Sequence, residues 1–357
     1  MKYKKLTIIK LENFGRNELE EIIKSVFKIK NTNVVTILNT QSVAYADSRD
    51  GIPILLDDFS EIFGGKAEVV PFEKKYIVRA LKKKRSTIVH NKFAMMVSRS
   101  LDEAGTMARI LEKSAFVYSK VKKYVPLSEF VARLEVKVFM GGYSKLNQER
   151  EWSIETTGID PRPKEERKLN LEKDDKRYTV LTVAKRIYDE NRTQGTWGNV
   201  SCRIDDKHLY CTPKAIGYDL LELDDIVKMD YLTNTQVGEG NPTSEKGIHC
   251  RIMREQKDAM IAIHAHPIYC SIFAARNQVL EVSEENRAIL GNYVYCGKHA
   301  LPMTKTLANN TVDAMRGGKA SFMGNHGVAI YGVDVDDAFL VLNTLEAECK
   351  KQIQEGR

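Results

Sequence analysis

Residues 258–269 read Asp-Ala-Met-Ile-Ala-Ile-His-Ala-His-Pro-Ile-Tyr, and the second half of the chain is organised around this stretch. The apolar run Met260–Ile263 predicts a short buried strand. Residues two apart on a strand project from the same face, so the imidazoles of His264 and His266 point into one space. Two converging neutral imidazoles make half of a metal site. Two ordinary histidines at a strand end, satisfied by hydrogen bonds, would give the same letters, so other residues must decide between these interpretations.

Length and composition indicate a two-domain globular protein. The chain has 357 residues, more than one hydrophobic core usually holds. Apolar residues make up 43% and charged residues 29%, and no apolar run is long enough to span a bilayer. Residues 1–10 place basic residues before a very short apolar patch, without a secretory core or cleavage site. We therefore expect a cytoplasmic protein with no membrane partner.

The charge pattern gives no sign of nucleic-acid binding. A net charge of +7 is a small excess of 55 basic over 48 acidic residues, and basic runs such as 82–85 are short. Aromatic or glycine-rich binding signatures do not accompany them, so we expect no nucleic-acid partner. The six cysteines all lie in the second half without a Cys-x-x-Cys pair, which is typical of reduced structural thiols.

The first half reads as a mixture of helices and strands. Predicted helices cover Glu18–Lys28 and Leu101–Lys120, and predicted strands cover Asn33–Leu38, Ser86–His90 and Phe93–Val97. This mixture predicts an α/β fold.

Part of this half resembles the end of the chain. The segment Arg99–Ala104 is similar to Val333–Ala338, and the match extends with gaps, so that Asn33–Lys120 aligns with Asp258–Lys351. In this alignment Leu38, Thr40 and Lys92 occupy the places of His264, His266 and His326. We interpret the first half as a diverged copy that cannot hold the same metal. Chance similarity between two α/β segments is the alternative.

A charged stretch separates the two halves. Residues 143–177 are rich in Lys, Glu and Arg, include two prolines and lack apolar periodicity, as an exposed connector does. The predicted organisation is a smaller α/β domain over 1–145, a linker over 146–178 and a second domain over 179–357.

Two further stretches of the second half are ambiguous when taken singly. Gly195–Ser201 joins a predicted helix to a strand, and its glycines, amide and hydroxyl suit an anionic oxygen, although a helix C-cap glycine gives the same letters. Glu245 precedes a predicted helix over Lys246–Gln256, where a carboxylate is ordinarily just favourable to the helix dipole.

The order of five short blocks resolves the ambiguity. They are Gly198-Asn-Val-Ser201, Thr212-Pro213, Thr243-Ser-Glu245, His264-Ala-His-Pro267 and Gly324-Asn-His-Gly-Val328. Over 181–351 the chain resembles the class II aldolase and adducin family, which includes zinc-dependent fuculose-phosphate and rhamnulose-phosphate aldolases and ribulose-phosphate 4-epimerase. The resemblance implies a three-layer α/β domain, with 1–145 as a truncated, metal-free copy of it.

The resemblance also implies roles for particular residues. Zinc would be held by His264, His266 and His326, and three nitrogen ligands with an open position are typical of a catalytic site. Glu245 would act as acid and base, where the family's epimerases have an aspartate. The substrate phosphate would be bound by Gly198, Asn199, Thr243 and Ser244. Lys214 stands where a small hydroxyl residue is usual, and it would either add a charge to that pocket or fill it.

These observations predict a zinc-dependent lyase. It would cleave or form a carbon–carbon bond in a small ketose or hydroxy-keto acid, which we expect to be phosphorylated, through a metal-stabilised enediolate. Another divalent transition metal is an alternative to Zn²⁺, and an epimerase, dehydratase or decarboxylase of the same family is an alternative to the aldolase. A non-catalytic adducin-like scaffold is a third interpretation, which the retained histidines and Glu245 disfavour. Relatives of this kind form ring-like tetramers, so we expect a homo-oligomer.

Overall fold

The computed structural model describes residues 16–138 and 176–356. The chain divides into two compact units, one made of Met1–Val121 with Pro126–Gly142 and the other of Lys122–Val125 with Tyr143–Arg357. Both units mix helices with strands, which confirms the predicted α/β class. None of the helices within the described ranges is long and apolar enough to cross a membrane.

The first unit contains a four-stranded sheet. Its strands are β1 (Val34–Leu38), β2 (Val69–Val70), β3 (Ser86–Val89) and β4 (Phe93–Ser98). Its helices are α1 (Arg16–Val26), α2 (Gln41–Asp47), α3 (Asp57–Phe63), α4 (Lys74–Lys84), α5 (Leu101–Lys120) and α6 (Glu129–Val138). The strand order is β1-β4-β3-β2, with only the β2–β3 pair parallel.

The second unit is built on an eight-stranded sheet. Its helices are α7 (Lys176–Asp189), α8 (Lys246–Glu255), α9 (Ile268–Arg276), α10 (Arg287–Leu290), α11 (Lys305–Met315) and α12 (Val335–Gln354). Its strands are β5 (Asn199–Arg203), β6 (His208–Cys211), β7 (Val227–Asp230), β8 (Thr235–Val237), β9 (Ile261–Ala265), β10 (Leu280–Glu281), β11 (Tyr293–Val294), β12 (Cys296–Gly297), β13 (Ala320–Met323) and β14 (Val328–Gly332). The order is β12-β13-β14-β9-β5-β6-β7-β8, and β10 pairs with β11 separately.

Helices cover both faces of the large sheet. One apolar cluster joins the strands to α7, α9 and α12, and a second joins the opposite face to α8 and α11. Strand β9 is buried along its whole length because it lies near the middle of the sheet, between β14 and β5. The residues at the ends of this central strand are therefore held in fixed positions, as a preorganised site requires.

The predicted linker is only partly within the described residues. Residues 146–175 lie outside them, whereas 176–178 belong to α7 and not to a connector. The helix can begin among these charged residues because Lys and Arg are good helix formers, and the apolar residues Val180, Val183 and Ile187 anchor it from its interior.

A buried arginine stabilises the second unit. Arg203 is 8% exposed and donates hydrogen bonds to the carbonyl oxygens of Ala259 (2.7 Å), Met253 (2.7 Å) and Gln256 (3.0 Å) and to the Tyr231 hydroxyl (2.6 Å). These acceptors include carbonyls at the end of α8, which lack partners within the helix. Arg203 thus connects β5 to the segment that leads into β9.

Arg203→Met should lower the free energy of unfolding of this unit by about 3 kcal/mol, because buried carbonyls lose their donors while the apolar stem is kept. Urea unfolding followed by tryptophan fluorescence measures this change, since Trp197 lies in the second unit, just before β5. Lys185→Met, at an exposed site on α7, is the control and should change stability by less than about 0.5 kcal/mol. Equal stability of the two variants would contradict the role of Arg203.

Candidate metal centre and its carboxylate

His264 is presented by the central strand in a fixed tautomer. On β9 it lies opposite Asn199 of β5 and Ala329 of β14. Its Nδ1 is 2.9 Å from the carbonyl oxygen of Val328, which can only accept, so Nδ1 carries the proton. The lone pair of Nε2 is therefore available to a ligand, as it is in histidines whose other nitrogen donates to a carbonyl.

His326 reaches the same place from the turn between β13 and β14. Asn325 precedes it in the left-handed conformation (φ +57°), which asparagine adopts more readily than most residues. A Cβ at Gly327 would come within 2.5 Å of the Ala265 carbonyl oxygen, so only glycine lets the turn lie this close to β9. The conformation of the turn that carries His326 thus explains why asparagine precedes this histidine and glycine follows it.

The three imidazoles converge through their Nε2 atoms. Nε2 of His264 lies 2.9 Å from Nε2 of His266 and 3.0 Å from Nε2 of His326, and the three rings are at most 4% exposed. No other group of three or more His, Cys, Asp or Glu within the described ranges is arranged to hold a metal ion. Zn–N bonds of about 2.0–2.1 Å in a tetrahedron place the nitrogens about 3.3 Å apart. The donor set therefore fits a tetrahedral divalent cation with one position left open.

Glu245 lies beside this cluster. Its Oε2 is 3.2 Å from Nε2 of His264 and its Oε1 is 3.4 Å from Nε2 of His326. Burial raises the pKa of Glu245, but the neighbouring imidazoles and the Asn199 amide outweigh it and lower the pKa to about 2. The carboxyl group is therefore ionised at neutral pH. Glu245 is the N-cap residue of α8, but its side chain makes no capping hydrogen bond and lies against the histidines instead.

Three further polar side chains support the carboxylate. Asn199 donates from Nδ2 to Oε2 of Glu245 (2.8 Å), and its Oδ1 is 2.5 Å from Nε2 of His249. Nδ1 of His249 lies 2.7 Å from the hydroxyl of Ser201. Burial, and then the nearby His264, lower the pKa of His249 to about 3, so the ring is neutral. His249 is not one of the three histidines that could hold a metal ion, and it supports the carboxylate through its contact with Asn199.

The predicted phosphate-binding blocks lie side by side. The amide of Thr243 donates to the carbonyl of Thr212, and the amide of Lys214 donates to the carbonyl of Asn241. Gly198 has φ +86°, and a Cβ there would come within 2.9 Å of the His264 carbonyl oxygen, which explains the glycine. The blocks that begin at Gly198 and end at Glu245 thus form one wall beside the histidines.

A cavity of about 520 Å³ lies next to this wall. It is lined by Ser244 and Glu245, by Lys246 at the start of α8, and by Thr304 and Lys305 at the start of α11. The three histidines do not line it. Among the predicted phosphate-binding residues, only Ser244 borders this cavity.

Comparison with known proteins places this unit among aldolases. The family model described as "Class II Aldolase and Adducin N-terminal domain" matches residues 179–353. The L-fuculose phosphate aldolase of Methanocaldococcus jannaschii is 32% identical over 171 residues, which cover 48% of this chain and 91% of that protein. The 5-deoxy-D-ribulose 1-phosphate aldolase of Bacillus thuringiensis is 25% identical over 171 residues, 80% of its length. A solved L-fuculose 1-phosphate aldolase, 28% identical, covers 51% of this chain and 87% of its own with a TM-score of 0.49.

Proposed function

Since the chain belongs to the class II aldolase and adducin family and is an aldolase-like lyase, we propose that its second unit cleaves and forms a carbon–carbon bond in a small ketose phosphate with the help of Zn²⁺. The observation that carries this proposal is the meeting of three buried imidazoles with the buried carboxylate of Glu245. The relatives named above act on phosphorylated sugars, which supports a substrate of the same class.

The three histidines would hold the metal ion, and their chemistry favours a transition metal such as zinc over magnesium or calcium. Neutral imidazole suits zinc and several other transition metals, whereas magnesium and calcium prefer oxygen ligands. When bound, the cation would supply Lewis-acid polarisation of a carbonyl and of the hydroxyl next to it. His264 would serve as a neutral ligand through Nε2, because the Val328 carbonyl keeps the ring proton on Nδ1.

Glu245 would move the proton. Asn199 holds Oε2 in place, whereas Oε1 accepts no hydrogen bond in the structure and is buried. Oε1 is therefore the oxygen that would take a proton from the substrate and return it. A positioned carboxylate of this kind contributes about 10²- to 10⁴-fold to a rate.

The hydrogen-bonded blocks beside the histidines would receive the phosphate. We assign this role to Gly198, Asn199, Lys214, Thr243 and Ser244. Support comes from their proximity, since the Thr212–Lys214 and Asn241–Thr243 segments are joined by backbone hydrogen bonds. Assembly as a homo-oligomer remains a prediction that sedimentation of the purified protein would test.

The proposal is tested by incubating purified protein with a panel of ketose 1-phosphates and measuring released dihydroxyacetone phosphate. L-Fuculose 1-phosphate and 5-deoxy-D-ribulose 1-phosphate belong in the panel because the relatives are named for them. Release that depends on the metal is the expected result. No release from any member, together with absence of stoichiometric metal, would favour the scaffold alternative.

The first unit would be a metal-free copy of half of the second. Strand order and direction support this proposal, because β1-β4-β3-β2 repeats β9-β14-β13-β12, including the single parallel pair at the end. The last helices α5 and α12 each have 20 residues and follow their strands in the same way. Both begin with a side-chain cap, from Ser100 and Asp334, which are 234 positions apart.

Left-handed residues recur at matching places in the two units. The pairs are Asp50 with Asn277, Gly64 with Gly291, Arg85 with Arg316 and Asn91 with Asn325. Left-handed backbone is uncommon outside glycine, so the three non-glycine coincidences at matching turns support descent from one ancestor over chance similarity.

Strand pairing corrects the alignment by one residue. Leu38 pairs with Ala94 in the first unit, and Ala265 pairs with Val328 in the second, so Leu38 corresponds to Ala265. The places of His264, His266 and His326 are then held by Ile37, Asn39 and Lys92. This proposed alignment differs by one residue from the one made on sequence alone, which places Leu38 and Thr40 there, and a one-residue shift moves a side chain to the opposite face of the sheet.

We expect the combined change Ile37→His, Asn39→His and Lys92→His to create a metal site in the first unit, because the matching backbone would bring the three imidazoles together. The change is made in a His264→Ala background, so that the second unit contributes no complete site. Equilibrium dialysis with Zn²⁺ or Co²⁺ should then detect about one bound ion per chain.

The matched control places histidines in the alternative register, in which Leu38 and Thr40 correspond to His264 and His266. Leu38→His, Thr40→His and Lys92→His introduce the same number of imidazoles, with two of them shifted by one residue, and should bind no ion tightly. Equal ion binding by the two triple variants, or no binding by either of them, would contradict the proposal that the first unit is a copy.

A further inference from the structure

A directional chain of hydrogen bonds runs from Ser201 through His249 and Asn199 to Glu245. All four side chains are at most 8% exposed. Asn199 and Ser201 lie two apart on β5 and so project from the same face, and His249 follows Glu245 by one turn of α8. The chain therefore connects the central sheet to the helix that carries the carboxylate.

The direction of each bond follows from the groups themselves. An ionised carboxylate only accepts hydrogen bonds, so Asn199 must turn its Nδ2 towards Oε2 of Glu245. Its Oδ1 then faces Nε2 of His249 and can only accept, so the proton of the neutral ring lies on Nε2. Nδ1 is left as an acceptor, which the Ser201 hydroxyl satisfies. No member can reverse its role without leaving a buried group unpaired.

We propose that His249 is a positioning residue for the aldol reaction, which acts by fixing the orientation of the Asn199 amide. This inference rests on the proposed function of Glu245. An unfixed amide could present its oxygen to the carboxylate, and two acceptors would then repel each other. With His249 in place, Oε2 is always held by a donor, and Oε1 remains the oxygen for proton transfer.

His249→Phe removes both ring nitrogens and keeps a flat ring of similar size. We expect kcat to fall about 30-fold, within the range for partners that orient a metal-site group, while KM and metal content stay near those of the unmutated protein. His249→Gln can still donate to Oδ1 of Asn199 and should restore most of the lost kcat. His208→Phe, at a histidine paired with Asp205 away from the site, is the control and should leave kcat unchanged.

A double-mutant cycle separates positioning from general stabilisation. If His249 acts through Asn199, adding His249→Phe to Asn199→Ala should lower kcat little further. The proposal would be overturned by full additivity of the two changes, by an unchanged kcat in His249→Phe, or by an equal loss of kcat in the Phe and Gln variants.

The tautomer of His249 gives a readout that does not depend on turnover. Nitrogen NMR of the folded protein should show His249 protonated at Nε2, and this preference should weaken in Asn199→Ala. Protonation at Nδ1 would overturn the inference even if the protein is an active aldolase. Absence of turnover from every ketose phosphate, with Nε2 protonation retained, would instead overturn the role in the aldol reaction that depends on the proposed function.

Discussion

His264→Ala should abolish retention of the metal ion and lower aldol turnover by about 10³-fold or more. His264 is the central member of the triad, since its Nε2 lies 2.9 Å and 3.0 Å from the Nε2 atoms of the other two. Two remaining imidazoles leave a cation with too few ligands, and the Lewis acid supplies several kcal/mol of transition-state stabilisation. Metal analysis after dialysis and an assay on the best ketose phosphate measure both losses.

The control for this change is His208→Ala, which removes a histidine paired with Asp205 outside the triad. It should keep both metal and turnover. The unmutated protein treated with a chelator should behave like His264→Ala and recover when zinc is returned. Full turnover by the metal-stripped protein would refute the metal-dependent reaction.

Glu245→Gln should keep the metal ion and lose turnover by about 10³-fold, because an amide fills the same space but cannot take up the proton. The histidines supply the metal-binding nitrogens, so the metal content should stay near that of the unmutated protein. The two measurements are kcat on the best substrate and metal analysis of the dialysed variant. Together they separate proton transfer from metal binding.

Glu255→Gln is the matched control, since Glu255 ends the same helix and pairs with Arg251 at the surface. Its kcat should equal that of the unmutated protein. Retained turnover in Glu245→Gln would show that another group moves the proton. Loss of metal along with turnover would make Glu245 a ligand instead.

The residues that meet at the site could be predicted because each lies in a short segment whose local structure the sequence itself indicates. His264 and His266 end an apolar run that must be a buried strand, and His326 lies in a turn whose glycine and asparagine are needed for its backbone. Glu245 stands directly before a helix that the apolar spacing predicts. These signals are short-range, so the sequence carries them without knowledge of the fold.

The contacts of His249 were not predictable in the same way. Its partners Asn199 and Ser201 lie on a strand about 50 residues earlier in the chain, and only the packing of α8 against the sheet brings them together. A spacing of four residues places His249 on the same helix face as Glu245. It could not indicate which polar groups the ring would meet.

The alignment that we propose for the first unit also depends on a contact that the sequence does not carry. Residues Val34–Leu38 form a continuous run of apolar and β-branched residues, which lacks the alternation that would fix a face. In the copy that we propose, it is the pairing of β1 with β4 that aligns Ile37, and not Leu38, with His264. The helix ends, by contrast, were marked by capping residues and matched closely, as α5 at Leu101–Lys120 illustrates.

The proposed reaction requires one divalent cation bound by three histidines from distant parts of the chain. Anomalous diffraction at the zinc absorption edge, from crystals of the unmutated protein grown with Zn²⁺, shows where such a cation lies. We expect one strong peak bounded by the Nε2 atoms of His264, His266 and His326, with the Glu245 carboxylate beside it. Absence of a peak there from crystals of protein that is active would contradict this requirement.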